Sequence, residues 1–390
     1  MPKLAEKEYC TGCTACASVC PKGCITMLPD ENGFLSPVVE AEKCVGCGLC
    51  EKSCPVMTPL STTAVCPRAY AAYSKDETIR LESSSGGVFT EIAKTVLKDG
   101  GAVFGAAYNE RFEVVHICVE TEHDLAGLRG AKYAQSDLRG VFDQVKDRLD
   151  RGQRVLFSGT PCQVGGLISY LRKPYENLLT VDFVCHSVPS PMAWQAYVTY
   201  RAQQDNKGNP PESINLRSKE TGWSYYQYSN LFKYSNCKKH VVRSGESLYM
   251  KLFVGGYINR ESCTNCRFKG YKRVSDLTIG DFWGIWDIAP EMDDNKGTSV
   301  VLVQSDRGAE VMDSLQDRLA QKPVVLEEAS RQNRAMLNPM ASNNFRTEAL
   351  DYIRAGEISS CKKWFIPSER TIIQRTRNVV KRILRRGFFQ

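Results

Sequence analysis

The chain has no run approaching the roughly 18 consecutive apolar residues that a membrane span requires, and no apolar leader opens it. Met1 to Tyr9 reads as the start of a mature cytoplasmic protein. At 390 residues and without a leader, it does not fit the small secreted scaffolds stapled by disulfides, although it carries 17 cysteines. Those thiols are expected in a reducing compartment. Strong charge of either sign is also missing, since the net charge is only +7 and unevenly placed. No recognised nucleic-acid-binding module accompanies the basic residues, so nucleic acid is not an expected partner.

What is present is a cysteine repeat. Cys10, Cys13, Cys16 and Cys20 precede Pro21, and Cys44, Cys47, Cys50 and Cys54 precede Pro55. Both runs have the spacing C-x2-C-x2-C-x3-C-P, in which three thiolates of one tight loop cap one iron–sulfur cubane and the fourth serves the neighbouring cluster. The crossed rule gives cluster one Cys10, Cys13, Cys16 and Cys54, and gives cluster two Cys44, Cys47, Cys50 and Cys20. Zinc knuckles need two pairs of cysteines, not two evenly stepped quartets each closed by proline. The segment reads as a carrier of two [4Fe-4S] clusters.

Length alone predicts about two to three domains. Leu60 to Pro67 is a small-residue, proline-bounded connection that closes a first domain over 1–60. From Arg68 the texture becomes α/β. Ala69 to Tyr73, Ala102 to Tyr108, Val114 to Val119, Arg154 to Ser158 and Leu178 to Val184 read as strands, and Gly87 to Leu97 and Leu138 to Leu149 as helices. Asp205 to Pro211 is a polar break, after which the aromatic stretch Trp223 to Tyr234 suits strands of a smaller, substrate-facing subdomain. Thr298 to Gln304 is a last strand, and beyond Gln321 the pattern turns helical and polar. The expected fold class is an α+β ferredoxin-like module followed by an α/β domain over 68–205. A smaller C-terminal subdomain over 206–330 and a helical region over 331–390 complete it.

Ser83, Ser84, Ser85, Gly86 and Gly87 collect hydroxyls and backbone N–H groups before the helix from Val88. That suits a phosphate, and it equally suits a capped helix start with no ligand. Gly159 to Gln163 (GTPCQ) places Cys162 where a strand gives way to a helix, and Cys185, beside His186, leaves the next strand in the same manner. Ligands of α/β folds collect at such strand ends. Cys263 and Cys266 form a C-x2-C pair in a polar loop, where core packing gives no reason for paired thiols. The four thiols, on three loops, form a candidate site for a third cluster; for Cys162 and Cys185 simple packing is the alternative. Cys24, Cys66, Cys118, Cys237 and Cys361 show no ligand spacing and read as structural, and His186 as a loop hydrogen-bonding residue.

The ordered segments SSSGG, GAKYAQS, SGTPCQ, DFVCHSVPSP, SCTNCRFK, SDLTIGDFWG and KGTSVVLV follow the cysteine repeat. Over about Cys10 to Val303 the chain resembles the family of coenzyme F-420 hydrogenase/dehydrogenase beta subunits. The resemblance implies an iron–sulfur, flavin-dependent oxidoreductase whose α/β part holds FAD beside a [4Fe-4S] cluster. It implies that Ser84, Ser85, Gly86 and Gly87 face the FAD phosphates, and that Lys132, Tyr133, Gln135 and Ser136 contact the flavin or its ribityl chain. Thr160 and Gln163 complete that pocket, and Cys162, Cys185, Cys263 and Cys266 hold the adjacent third cluster. Asp281 and Trp283, in GDFWG, become an active-site turn, the alternative being a tight turn with a buried indole. A flavin suits this place because it takes two electrons as hydride and passes them on singly. Implied partners are a redox protein or ferredoxin-like donor and a deazaflavin or other organic substrate. Two further readings are a reductase of a surface-polysaccharide or other biosynthetic pathway and a non-catalytic electron-transfer subunit of a larger complex.

The last residues differ in kind. Arg370, Arg375, Arg377, Lys381, Arg382, Arg385 and Arg386 occur with no acidic residue after Glu369. Ile372, Ile373, Val379, Val380, Ile383, Leu384 and Phe388 fall near helical spacing, giving an amphipathic basic helix. Such a helix can lie on an anionic membrane surface, pack on its own domain or dock a partner. The expected location is the cytoplasm, with peripheral membrane contact through this helix.

Overall fold

Each cysteine quartet wraps one short helix, α1 (Ala15–Ser18) and α2 (Leu49–Lys52), in the computed structural model, which describes residues 2–61, 66–235 and 237–366. The basic tail lies outside the described residues. Between the two helices, β1 (Ile25–Pro29) and β2 (Leu35–Val39) pair antiparallel, with Ile25 opposite Val39. The cysteine loops turn tightly because Gly12, Gly46 and Gly48 take φ of 66° to 70°, a region closed to most residues by their Cβ.

An eight-stranded mixed sheet follows. Its strands are β3 (Arg68–Ser74), β4 (Ala102–Tyr108), β5 (Val114–Val119), β6 (Val155–Gly159) and β7 (Leu178–Phe183). The chain then forms a separate antiparallel sheet of β8 (Ser213–Ser218), β9 (Ser229–Lys233) and β10 (Lys239–Arg243). It returns to the large sheet with β11 (Leu277–Asp281), β12 (Ser299–Val303) and β13 (Leu319–Val324), giving the order β13-β3-β12-β11-β7-β6-β4-β5. β4, β6, β7 and β11 run parallel, and antiparallel strands flank them on both sides. Every residue of β6 and β12 is buried, which is why these segments are continuous apolar runs rather than alternating ones.

Helices pack on both sheets. Those before residue 255 are, in chain order, α3 (Glu77–Glu82), α4 (Val88–Lys98), α5 (Leu125–Leu128), α6 (Val141–Asp150), α7 (Pro161–Leu171), α8 (Pro191–Asn206) and α9 (Leu248–Val254), and further helices follow, among them Asp306–Ser314 and Arg346–Arg354. α4 buries Ile92, Ala93 and Val96 in one core with Val103, Leu156 and Val301. α6 and α7 form a second core, in which Phe142, Val145, Val164 and Leu167 meet Phe104 and Phe157. The helix expected from Leu138 begins at Val141 because Gly140 takes the left-handed φ of 74°, which a right-handed helix cannot contain.

Three expectations differ from the fold. The boundary near residue 205 does not separate a domain over 206–330, since β11 and β12 insert between β7 and β3. Within that span the strands that stand apart from the large sheet are those of 213–243. Periodicity identifies a strand but not the sheet it joins. The aromatic stretch from Trp223 is a strand only at Ser229–Lys233; Tyr225 and Tyr226 take φ of 56° and 63° and turn the chain instead. The polar segment beyond Gln321 is still strand as far as Val324, at the sheet's edge against β3.

The ferredoxin-like module is seated on the large sheet's cover by named bonds. Arg260, 4% exposed, donates to Cys10 O at 2.8 Å, Leu35 O at 3.0 Å and Gln135 Oε1 at 2.9 Å. Arg267 Nη1 donates to Val56 O at 2.8 Å, and Ser190 Oγ to Asn32 O.

Candidate functional site

The ferredoxin-like module presents two thiol groupings. Burial pushes the Cys13 thiol up to about 11, with Cys10 and Cys54 adding to it as neighbouring charges. Burial also raises Cys16, and its neighbours are Cys13, Cys10 and Cys54. These four thiols therefore lie near one another. The other grouping, Cys20, Cys44, Cys47 and Cys50, lines a cavity of about 290 Å³. Cys24 lines it too, with Sγ 3.3 Å from that of Cys20. Sequence reasoning passed over Cys24, whose only signal is its nearness to the proline-closed quartet.

Cys162, Cys185, Cys263 and Cys266 are likewise brought together. Cys162 is the second residue of α7, whose Thr160 and Gln163 form a reciprocal cap. Thr160 Oγ1 lies 3.2 Å from Cys162 Sγ, and Val188 N donates to Cys263 Sγ at 3.4 Å. Burial raises the Cys162 thiol first, then the charges of Cys185, Cys266 and Cys13. Cys185 and Cys263 are pushed up to about 12, burial again being the main cause. A dry group of thiols resists ionisation until a cation arrives, and bound iron inverts that preference. Lys269 holds this loop by donating to Cys185 O and, at 2.7 Å, to Ala335 O. Among the described residues no three His, Cys, Asp or Glu groups are placed to hold a single metal ion. Thiolates of a cubane are spread over its separate irons, so this donor set fits a cluster.

The residues expected around a flavin fall into two sets. Gln135, Ser136, Thr160 and Gln163 form an internal chain: Thr160 N–H donates to Gln163 Oε1 at 2.9 Å, and Gln163 Nε2 to Ser136 Oγ at 2.9 Å. Ser136 Oγ lies 2.8 Å from His116 Nδ1, and His116 Nε2 lies 3.0 Å from Ser158 O. Burial holds His116 down at about 4, so the ring is neutral, carries its proton on Nε2 and accepts from Ser136. Gln135 spends its amide on Arg260 Nη1 and Thr11 O. The set thus fixes the start of α7 and the module's seat. His116 carried no sequence signal, because its neighbours are unremarkable.

The second set surrounds the loop before α4. Gly86 N donates to Ser299 Oγ at 2.9 Å, and Ser74 N donates to Gly86 O at 2.7 Å. A methyl on Gly86 would lie 2.5 Å from Ala72 O. Gly86→Ala is therefore expected to destabilise the protein by about 2–3 kcal/mol, read from the denaturant midpoint; an unchanged midpoint would show that the loop does not need its glycine. Ser84 Oγ is buried without a partner. Lys219 Nζ donates to Ser85 O at 2.7 Å and to Arg80 O, and Lys132 Nζ to Gly127 O at 2.9 Å and Arg129 O at 2.7 Å. Among the described residues neither lysine forms a salt bridge, and burial pulls both down to about 7. Arg217 joins the set by donating to Tyr133 Oη at 2.8 Å and to Asp281 Oδ2 at 2.7 Å. Its guanidinium lies 3.9 Å from the ring centre of Tyr228 and 4.4 Å from that of Trp223. Trp283 stacks on Trp223 at 5.6 Å. The buried ring of the GDFWG turn is Phe282, not Trp283.

Tyr133 links this loop to the cysteines. Its ring lies 4.9 Å from Phe253, which lies 5.2 Å from His186, the neighbour of Cys185. A groove of about 770 Å³ along the β3–β13 edge, lined by Tyr70, Tyr73 and Lys322, holds none of these residues.

The two cysteine quartets and the mixed sheet define a protein of the iron–sulfur class. Residues 69–142 and 152–326 match the amino- and carboxyl-terminal models of the coenzyme F420 hydrogenase/dehydrogenase beta subunit, and residues 9–58 match the 4Fe-4S dicluster domain. The chain belongs to that family of beta subunits. A curated relative, one of the subunits of the F(420)H(2) dehydrogenase of Methanosarcina mazei, is 27% identical over 179 residues, 42% of this chain and 49% of that one. The match thus spans about half of that relative's length. A chain of the F420-reducing [NiFe] hydrogenase complex from Methanosarcina barkeri has 15% identity and a TM-score of 0.47, over 78% of this chain and 92% of that one. Among the described residues, no helix is long and apolar enough to cross a membrane.

Proposed function

We propose that this chain is an iron–sulfur flavoprotein. It would hold FAD at the Ser84–Gly87 loop, exchange electrons with a partner through three [4Fe-4S] clusters, and exchange hydride with a deazaflavin of the F420 type. The observation that carries the reading is the charge imbalance at that loop. Lys219 donates to Ser85 O in that loop, the buried hydroxyl of Ser84 there has no partner, and Lys132, next to the Tyr133 that Arg217 holds, is like Lys219 enclosed, bonded to carbonyls and pulled down to about 7. An anion with oxygen acceptors answers all three. The dinucleotide diphosphate is such an anion, and the backbone at Gly86 and Gly87 leaves no Cβ in its way. The flavin supplies the conversion between hydride and single electrons. The protein's part is to orient. Arg217, held by Asp281 and Tyr133, fixes the aromatic wall of Trp223, Tyr228 and Trp283. The neutral His116 chain fixes Cys162 at the other end of the site. The relatives' names describe parts of multi-chain enzymes, which supports a partner protein as the electron donor or acceptor.

Anaerobic purification with iron, sulfide and flavin quantification tests the reading. Roughly twelve irons with one FAD per chain is the expected content; a preparation with no flavin after reconstitution would sink it. Binding of FAD should also depend on pH. Below about 7 both ammoniums are charged; above it, in the empty site, they lose their protons. A bound diphosphate raises both values, so binding takes up protons above pH 7 and affinity falls between pH 7 and 9. Each unit by which binding raises one lysine is worth about tenfold. Fluorescence titration of deflavinated protein reads this directly, and a flat profile counts against phosphates at these lysines.

A further inference from the structure

Helix α7 contains two adjacent glycines in its interior, Gly165 and Gly166. Glycine destabilises a helix interior because it surrenders the most backbone freedom on ordering and packs no side chain. Residues three and four apart share a helix face, so both glycines lie on the face that carries Cys162. Each meets a cysteine-bearing segment. A methyl on Gly165 would lie 2.9 Å from the ring of Phe268, two residues after Cys266. A methyl on Gly166 would lie 2.8 Å from Cys13 Cβ and 2.9 Å from Cys13 Sγ. Cys13, a cluster-one thiol, is therefore pressed on the bare backbone of the helix that holds Cys162. It is 9% exposed and shares a core with Val164 and Leu167.

The other quartet lies at the outer end. Cys47 is exposed, Val45 beside it is 62% exposed, and both line the cavity of cluster two. The nearest atoms to the Cβ positions of both glycines belong to Phe268 and Cys13, and none of them to that quartet.

We propose that the Cys162, Gly165 and Gly166 face of α7 is an electron-transfer junction, with Gly166 setting the spacing between cluster one and the third cluster. With the groups bound, the residues would set the order cluster two, cluster one, third cluster, flavin, or its reverse, for electrons passing singly. Two such passages match one hydride at the flavin. This rests on the three-cluster reading above.

The test uses the full chain, loaded anaerobically, with Gly166→Ala and Gly166→Leu. The readout is the electron paramagnetic resonance spectrum of the fully reduced protein, in which neighbouring paramagnetic clusters split each other's signals. Cluster two is marked in a parallel preparation by Cys47→Ser, which shifts its signal. The third cluster is expected to be split by the unmarked cluster. Gly166→Ala should weaken the splitting and Gly166→Leu abolish it, at unchanged iron and FAD content, a pattern that loss of fold does not produce. Should the leucine variant lose iron, the alanine variant decides by the same splitting. Splitting by the marked cluster, or full splitting in the substituted, iron-replete protein, overturns the junction alone. About eight irons in the unsubstituted protein overturns the three-cluster reading, and the junction with it.

Discussion

Replacing Cys263 and Cys266 together by serine is expected to lower the iron content from roughly twelve to roughly eight per chain, with the ferredoxin-like clusters and FAD retained. The two thiols sit on one loop, while Cys162 and Cys185 come from the ends of β6 and β7, so the double change removes half of the proposed four-thiolate site and leaves the sheet intact. Packing gives a different outcome. Serine in place of a buried thiol would cost some stability but no iron. Flavin in the double variant should still be reducible by a small chemical reductant, yet no longer by a protein donor, because the relay is broken before the flavin. Iron content equal to that of the unsubstituted chain would return these cysteines to the core.

The second large effect is at Arg217. Its side chain is 5% exposed and pairs with Asp281, whose side chain is 19% exposed. Removing one partner of a buried pair leaves the other charged and unmatched, at about 3–5 kcal/mol. Loss of the guanidinium from between the Trp223 and Tyr228 rings adds about 1 kcal/mol. Arg217→Met keeps the apolar stem, so its penalty is mostly electrostatic. The denaturant midpoint should fall accordingly, and FAD should be lost with the wall that Arg217 braces. Combining it with Asp281→Asn should recover part of the stability, because no unmatched carboxylate remains. A fall under about 1 kcal/mol for Arg217→Met is what an exposed pair gives, and would show that the pair is not buried in solution.

Much of the site was readable before folding because its chemistry is encoded by short spacing. The two quartets need only neighbouring residues, and GTPCQ and the segment into Cys185 announce strand ends within a few positions. The signals failed where a residue's role depends on a distant partner. Arg260 reaches Cys10 across 250 positions and Arg217 reaches Asp281 across 64. Lys219 finds its carbonyls on Ser85 and Arg80. Each is an ordinary basic residue in its local context. Cys24 was passed over because ligand spacing is measured along the chain, whereas its thiol reaches the cluster-two cavity only after Pro21 turns the backbone. Gln135, Ser136, Thr160 and Gln163 were expected as one flavin contact surface with the Ser84–Gly87 loop. In the fold they bond to one another, to His116 and to Arg260.

Spacing by itself therefore marked a 4Fe-4S dicluster domain at residues 9–58 and an α/β sheet after it with thiols at its strand ends. Cluster ligation and strand formation are local, depending on a few residues of backbone geometry. Only the tertiary structure decided that β11 and β12 enter the sheet between β7 and β3, that the module is bolted down by Arg260, and that Cys13 rests on Gly166. Those outcomes depend on which buried surfaces meet. That is a matter of shape and unpaired polar groups summed over distant segments, and no window of sequence contains it.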